Sequence, residues 1–338
     1  MSDSSKLKVS LVALPESFLS CLVGLYDTFE MASTSIAPGR IPFDVEIVAQ
    51  SDRVESLTSR FPIVPHRTID RVQRTDLVVV PAAVVDTVPW QIGRHPDALE
   101  WIRRMYRNGA VVSSACSGAL LLAETGLLDS QVATTHWNEA DRFRTHFPDV
   151  RLDLTRELIV SGEDRRIVTA GAAAAWHDLA LYLISRYSGP EAAQAVAKYF
   201  MLQWHTDGQT PYLSFDTDIS HGDAAILRAQ AWIDEHIREP NLLADLPATA
   251  GLAPRTFTRR FRQATGFSPS SYLQRIRIEE AKSLLERTKM PIEQICWTIG
   301  YDDPSSFRRL FKRITAVTPG YYRRMFTHHQ PSSGDPSR

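Results

Sequence analysis

The chain has 338 residues, 43% hydrophobic and 23% charged, with a net charge of −1, as expected of an ordinary globular protein long enough for two cores. Cys21, Cys116 and Cys296 are too few and too scattered for a disulfide framework or a zinc cluster, so no metal and no cofactor is expected. With no run of about 18 apolar residues and no apolar signal region at the start, the chain is predicted to be cytoplasmic, without a membrane partner.

The first two thirds alternate strand and helix patterns. Residues 7–14 form an apolar run of strand length, and 18–31 follow with helical spacing. Residues 43–49 alternate as a strand does, and 76–80 end at Pro81 like a buried parallel strand. A helix over 97–107 leads through Asn108-Gly109 to a strand over 110–114. This order predicts an α/β domain of flavodoxin-like type, a parallel sheet with helices on both faces. Ligands of such sheets sit beyond the carboxyl ends of the strands.

The chemistry-bearing stretch of this part is Val111-Val-Ser-Ser-Ala-Cys116-Ser-Gly118, which runs from strand into helix with Cys116 at the corner. A small-residue turn there has the form of a nucleophile elbow, lifting the thiol out of the sheet beneath a helix N-terminus that favours thiolate. The alternative is a small buried thiol at a tight junction. Ser117 follows directly. His136 either reaches the pocket or serves as a capping or core histidine. Glu16 is either a carboxylate near the thiol or an exposed loop residue. The alanine-rich stretch 170–175 leads into a helix through Arg186, and its small residues suit close helix–sheet packing.

Residues 207–223 are turn-rich and mark the linker. Beyond it the charge changes: residues 1–222 hold 20 Lys+Arg against 27 Asp+Glu, whereas 223–338 hold 18 against 12. A basic final third beside an acidic body points to a polyanion partner. Residues 246–250 make a short helix, begun near Leu246 because Pro247 is tolerated only in a first turn, and Gly251 turns the chain. In 254–264, Phe257 and Phe261 point inward, with Arg255, Arg259 and Arg262 outside. Ser268-Pro269 opens a helical run over 271–287. The plan then repeats. Residues 291–300 are a short apolar helix pattern ending in Gly300, Asp303 is an N-cap, and Pro304 takes the first helical position. Phe307, Leu310, Phe311 and Ile314 form one stripe; Ser305, Arg308 and Lys312 form another, with Arg309 beside them. One copy alone is also the pattern of a surface helical hairpin. Two copies joined by a rod place two recognition helices about 34 Å apart, one turn of DNA. The tail, 328–338, is expected to be disordered.

Two resemblances follow from these segments. Residues 224–327 resemble the AraC/XylS-type DNA-binding module, through Gly-Phe-Ser-Pro (266–269), Arg-Ile-Arg-Ile-Glu-Glu-Ala-Lys (275–282) and Thr-Pro-Gly-Tyr-Tyr-Arg (318–323). Residues 6–190 resemble the class I glutamine amidotransferase-like superfamily, in its intracellular-protease-like branch. That match is carried by Ser-Ala-Cys-Ser-Gly (114–118), Gly-Leu-Leu-Asp (126–129), Ala-Thr-Thr-His-Trp (133–137) and Trp-His-Asp-Leu-Ala-Leu-Tyr-Leu (176–183). Residues 191–223 connect the two. The fusion is similar to GlxA-like transcriptional regulators. The chain departs from the enzymes of the branch at Ser117, where histidine often follows the cysteine, and at Ser20-Cys21-Leu22, where an acidic residue is usual.

The expected function is a sequence-specific transcriptional regulator whose non-catalytic N-terminal domain senses a small molecule. Its pocket is placed at Cys116, Ser117, Glu16 and His136. Its base-reading residues are Arg255, Thr258, Arg259, Ser305, Arg308 and Arg309, with Arg262 and Lys312 on phosphate. Double-stranded DNA and an unidentified effector are the expected partners, with RNA polymerase added if the protein activates, and the resemblance implies a homodimer. The alternatives are a Cys116-dependent amidase, deglycase or hydratase fused to a DNA-binding module, and a Cys116 redox sensor.

Overall fold

The computed structural model describes residues 6–33, 42–57, 59–84, 90–239 and 242–327; the tail expected to be disordered, 328–338, lies outside them. Contacts divide the chain into two compact units, Met1–Gln209 and Thr210–Arg338.

In the first unit, strands β1 (Leu7–Val12), β2 (Phe43–Ala49), β3 (Arg67–Thr68), β4 (Leu77–Val80), β5 (Val111–Ala115), β8 (Leu158–Ser161) and β9 (Ile167–Ala170) form one sheet. Its order is β3-β2-β1-β4-β5-β9-β8. All neighbours are parallel except β8 on β9. Strands β6 (Val132–Ala133) and β7 (Arg151–Leu152) pair separately. Helices α1 (Leu19–Met31), α5 (Trp176–Ser188) and α6 (Pro190–Phe200) share one core with Val9, Leu11, Leu77, Val79 and Val111. On the other face α2 (Pro96–Arg107), α3 (Ala119–Glu124) and α4 (Ala140–His146) share a second core with Val12, Val78, Val80 and Val112. Alternate residues of each strand thus enter opposite cores, which is why Leu77-Val-Val-Val80 is apolar throughout.

Two elements of this unit were not anticipated. Residues 158–170 form an antiparallel hairpin whose turn begins at Gly162 with φ 75°. Two runs of β-branched residues flank that turn, a signal present in the sequence. Within the expected connecting segment 191–223, residues through Phe200 are helical and bury Ala192, Ala193 and Val196 in the α1/α5 core. Small residues at close spacing let this helix lie against α5.

The second unit is helical: α7 (Ala224–His236), α8 (Leu242–Ala250), α9 (Pro254–Thr265), α10 (Pro269–Arg287), α11 (Ile292–Thr298), α12 (Pro304–Thr315) and α13 (Pro319–Phe326). It holds two separate cores. Ile226, Ile233, Leu246, Phe257, Phe261 and Tyr272 belong to the first; Ile278, Leu285, Ile295, Phe307 and Phe311 belong to the second. Helix α10 supplies its N-terminal half to one and its C-terminal half to the other. Helix α8 corrects the expected start near Leu246, because it begins at Leu242 and carries Pro247 inside. Leu242, Leu246 and Ala250, at i, i+4 and i+8, are all buried. Their packing offsets the missing proline N–H and holds the preceding turn against the proline ring.

Candidate ligand site and nucleic-acid interface

The elbow at the carboxyl end of β5 is built from backbone strain and close approach. Cys116 is buried and has φ 55°, the left-handed region that a residue with a side chain rarely adopts. Gly118 lies so near the end of β4 that a Cβ would stand 2.4 Å from the Pro81 carbonyl oxygen, so only glycine lets the turn seat there. The Ser117 hydroxyl donates to the Ala83 carbonyl and accepts from the Ala83 N–H at 3.0 Å. Thr135 Oγ1 donates to the Cys116 carbonyl at 3.0 Å. Cys21 Sγ accepts from the Ala82 N–H at 3.3 Å, and burial pushes its thiol pKa up to about 12. Cys21, in the place where an acid is usual, is therefore a protonated core thiol.

Glu16 is not an exposed loop carboxylate. It is 1% exposed, with Arg94 Nη1 at 2.7 Å from one oxygen and His95 Nε2 at 3.2 Å from the other. Burial alone would raise its pKa, but the His95 hydrogen bond and the charges of His95 and Arg94 outweigh that and lower it. Its backbone accepts from Val84, beside the Ala83 that holds Ser117, so the Glu16 loop and the elbow share residues 82–84. His136 caps a short helical turn, accepting the Asn138 N–H at 3.2 Å on Nδ1, and stacks on Trp137. It follows Thr135, which holds the Cys116 carbonyl. Cys116, Ser117, Glu16 and His136 are thus tied through residues 82–84 and 135 to one end of the sheet.

The second unit presents two basic faces. On α9, Pro254, Arg255, Thr258, Arg259, Arg262 and Gln263 line one open surface. Behind it Phe257 and Phe261 are buried. Arg260 leaves this face and grips Asp223, the N-cap of α7, through Nε at 2.9 Å and Nη2 at 2.6 Å. On α12, Ser305, Arg308, Arg309 and Lys312 are exposed while Phe307, Leu310 and Phe311 are buried. Asp303 caps this helix by accepting the N–H groups of Ser305 and Ser306, each at 3.0 Å. Arg308 is ion-paired to Glu293 of α11. Arg309 Nη2 donates to Ser306 Oγ at 2.8 Å.

Arg277 of α10 is a residue whose position the sequence did not signal. It is 6% exposed and donates to three carbonyls: Ile237 at 2.9 Å, Glu239 at 2.8 Å and Gly300 at 3.0 Å. Burial lowers its pKa. The first two carbonyls follow α7 and the third belongs to the turn before α12, so one guanidinium joins the two lobes. Gly300, with φ 81°, leaves room for it: a Cβ there would lie 2.8 Å from Arg277 Nη2.

Comparison with known proteins agrees with this two-part organisation. Residues 246–325 match the model of a helix-turn-helix domain, and residues 26–186 match that of the DJ-1/PfpI family. The chain is 29% identical over 245 residues to the HTH-type transcriptional regulator CdhR of Pseudomonas aeruginosa, covering 71% of each protein. It is 27% identical over 224 residues to the HTH-type transcriptional regulator GlxA of Rhizobium meliloti, covering 66% of this chain and 68% of that one. A crystal structure of a Vibrio parahaemolyticus protein, 16% identical, superposes with a TM-score of 0.51 over 59% of this chain and all of that one, a likeness of fold alone. The chain thus joins a unit of DJ-1/PfpI type to a helix-turn-helix domain of AraC type, and in this arrangement it is similar to the HTH-type transcriptional regulators CdhR and GlxA.

Proposed function

We propose that this regulator reads double-stranded DNA through α9 and α12, with Arg255, Thr258, Arg259, Ser305, Arg308 and Arg309 facing bases. Arg262 and Lys312, a turn further along, meet phosphate. The observation that carries this reading is the pairing of each exposed basic face with a buried aromatic back, on two helices linked by one rod. At 19 residues, α10 spans about 28 Å, commensurate with the roughly 34 Å between successive major-groove segments. Arginine forks suit guanine edges there. The test is fluorescence anisotropy of the purified protein on DNA from its own upstream region, titrated in salt. Sequence-specific binding that weakens linearly in log–log against salt supports the reading; equal affinity for all DNA counts against it.

The first unit acts as the sensor in this reading. A small molecule at the carboxyl end of the sheet, against Cys116, Ser117, Glu16 and His136, shifts the population that engages DNA, provided its affinity for the two states differs. The sensor is assigned from residue 6, its connection to the DNA-binding part (224–327) lying in 191–223, of which α6 packs with the sensor core. The working unit is a cytoplasmic homodimer, with RNA polymerase as a further partner if it activates. Among the described residues no helix is long and apolar enough to cross a membrane.

A Cys116-dependent enzyme is the second reading, favoured by the left-handed conformation of Cys116 at the elbow. Against it, Glu16 is already engaged by Arg94 and His95, and His136 accepts the Asn138 N–H as a cap. Turnover of amide or carbonyl substrates that disappears in Cys116→Ser would establish it.

A further inference from the structure

Outside the elbow, the first unit gathers two histidines and a carboxylate that the DNA-reading and sensing roles leave unused. His177 and Asp178 lie in the first turn of α5, and His205 lies in the segment after α6. Their ligand atoms all lie within 4.8 Å of one another. His205 Nδ1 is 2.7 Å from Asp178 Oδ2, and His177 Nε2 is 3.6 Å from the same oxygen. A fourth donor closes the set: the Gln203 carbonyl oxygen stands 3.1 Å from His177 Nε2. Asp178 is 2% exposed, with its other oxygen held by the His205 N–H at 2.9 Å, whereas His177 and His205 keep 12% and 34% of their side chains open. The carboxylate is thus fixed and the two imidazoles are reachable from solvent.

We propose that His177 Nε2, Asp178 Oδ2, His205 Nδ1 and the Gln203 carbonyl form a binding site for a divalent transition cation, with Zn2+ the best match. Bonds of about 2.0–2.1 Å place tetrahedral ligands about 3.3 Å apart. Three of the separations, 2.7, 3.1 and 3.6 Å, bracket that value and the histidine and aspartate ligand atoms all lie within 4.8 Å of one another, so modest side-chain shifts bring the set around the ion. Two imidazoles and two oxygens suit zinc better than magnesium or calcium, which prefer all-oxygen sets. Without the ion, the His205–Asp178 and His177–Gln203 hydrogen bonds fasten the same loop, and the ion would replace both. The ion would clip residues 203–205 onto the start of α5. Sequence spacing gives no sign of this, because two ligands are adjacent and the third follows 27 residues later.

The test uses the full chain, free of any histidine tag, stripped with a chelator and titrated with Zn2+. The expected result is one tightly held Zn2+ per chain by equilibrium dialysis, with a rise in Tm. Co2+ in its place gives the intense visible absorption of a tetrahedral site. His177→Gln and His205→Gln lower Zn2+ affinity about 100-fold or more. The second keeps an N–H donor for Asp178, so its metal-free Tm stays near that of the parent chain. Failure of the folded parent chain to bind Zn2+, or equal binding by both variants, overturns the site. Should either variant fail to fold, the Co2+ spectrum of the parent chain decides the matter, because an octahedral, weakly coloured complex excludes this donor set.

Discussion

The two helix-turn-helix lobes share a plan and differ in how their basic faces are held. On α9 the N-cap is Ala253, whose side chain caps nothing, and Arg255, Arg259 and Arg262 form no ion pair among the described residues. On α12 the helix start is fixed by Asp303, Arg308 is paired to Glu293 and Arg309 is bonded to Ser306. Unpaired guanidinium groups supply long-range attraction and are free to fork onto whatever they meet. A guanidinium already held in place loses less side-chain entropy on binding, but must give up or share its carboxylate. On the proposed reading, both lobes contact bases, but the first adds more long-range attraction and the second starts from a more fixed geometry.

This contrast can be broken at several levels. The largest effects come from the cores. Phe261→Ala and Phe311→Ala should each cost about 3–5 kcal/mol, and amide hydrogen exchange should show protection lost mainly in the lobe that carries the change. Equal loss in both lobes would mean that they fold as one body. Next is Arg277→Met, which removes the donor from three carbonyls, two of them half-buried, and should cost about 1–3 kcal/mol in urea denaturation. Arg277→Lys should recover only part of this, since an ammonium lacks the planar fork. An unchanged urea midpoint would remove Arg277 as the link between lobes.

At the DNA surface, Arg259→Ala should lose about 1–3 kcal/mol of discrimination at one base position. Lys312→Ala should weaken every sequence alike and reduce the log–log salt slope by about 0.9. Glu293→Gln is a sharper probe of the difference between lobes. Releasing Arg308 should tighten binding to random DNA a few-fold while narrowing the gap to the specific site; a wider gap would show that Glu293 merely neutralises. The smallest effect is on acidification. The Asp303 carboxyl is held below its ordinary pKa of 3.8 by Ser306 and Ser305. Its support of α12 is therefore fully present above that pH and is lost as the pH falls through the lower folded value. In NMR titration the first turn of α12 should loosen in that window, and the first turn of α9, without such a cap, should not.

What was legible in the sequence was the local chemistry. Asp303-Pro304 and Ser268-Pro269 announce helix starts because a capping oxygen and a fixed φ act within three residues. Phe257 with Phe261, and Phe307 with Phe311, announce buried backs through their spacing. The elbow was readable from small residues between a strand and a helix. What was hidden depends on partners far along the chain. Glu16 reads as a loop carboxylate until Arg94 and His95 close on it from nearly 80 residues away. Arg277 reads as one more charge on an amphipathic rod, and its three carbonyl partners leave no mark on residue type. Helix α8 went astray for the opposite reason: proline's local preference was overruled by Leu242 and Leu246 in the core. The β8–β9 hairpin was within reach, since Gly162 separates two β-branched runs.

The Arg277 clasp has a consequence for the shape of the operator. If α9 and α12 read DNA as proposed, two heads held by one rod and one buried guanidinium act as a caliper of fixed opening, so the helical phase of the DNA becomes part of the recognition code. Inserting about 5 base pairs between the segments read by α9 and α12 turns the second segment to the far side of the duplex, and inserting about 10 returns it to the near side but out of reach. A flexible linker would tolerate both insertions; a caliper tolerates neither.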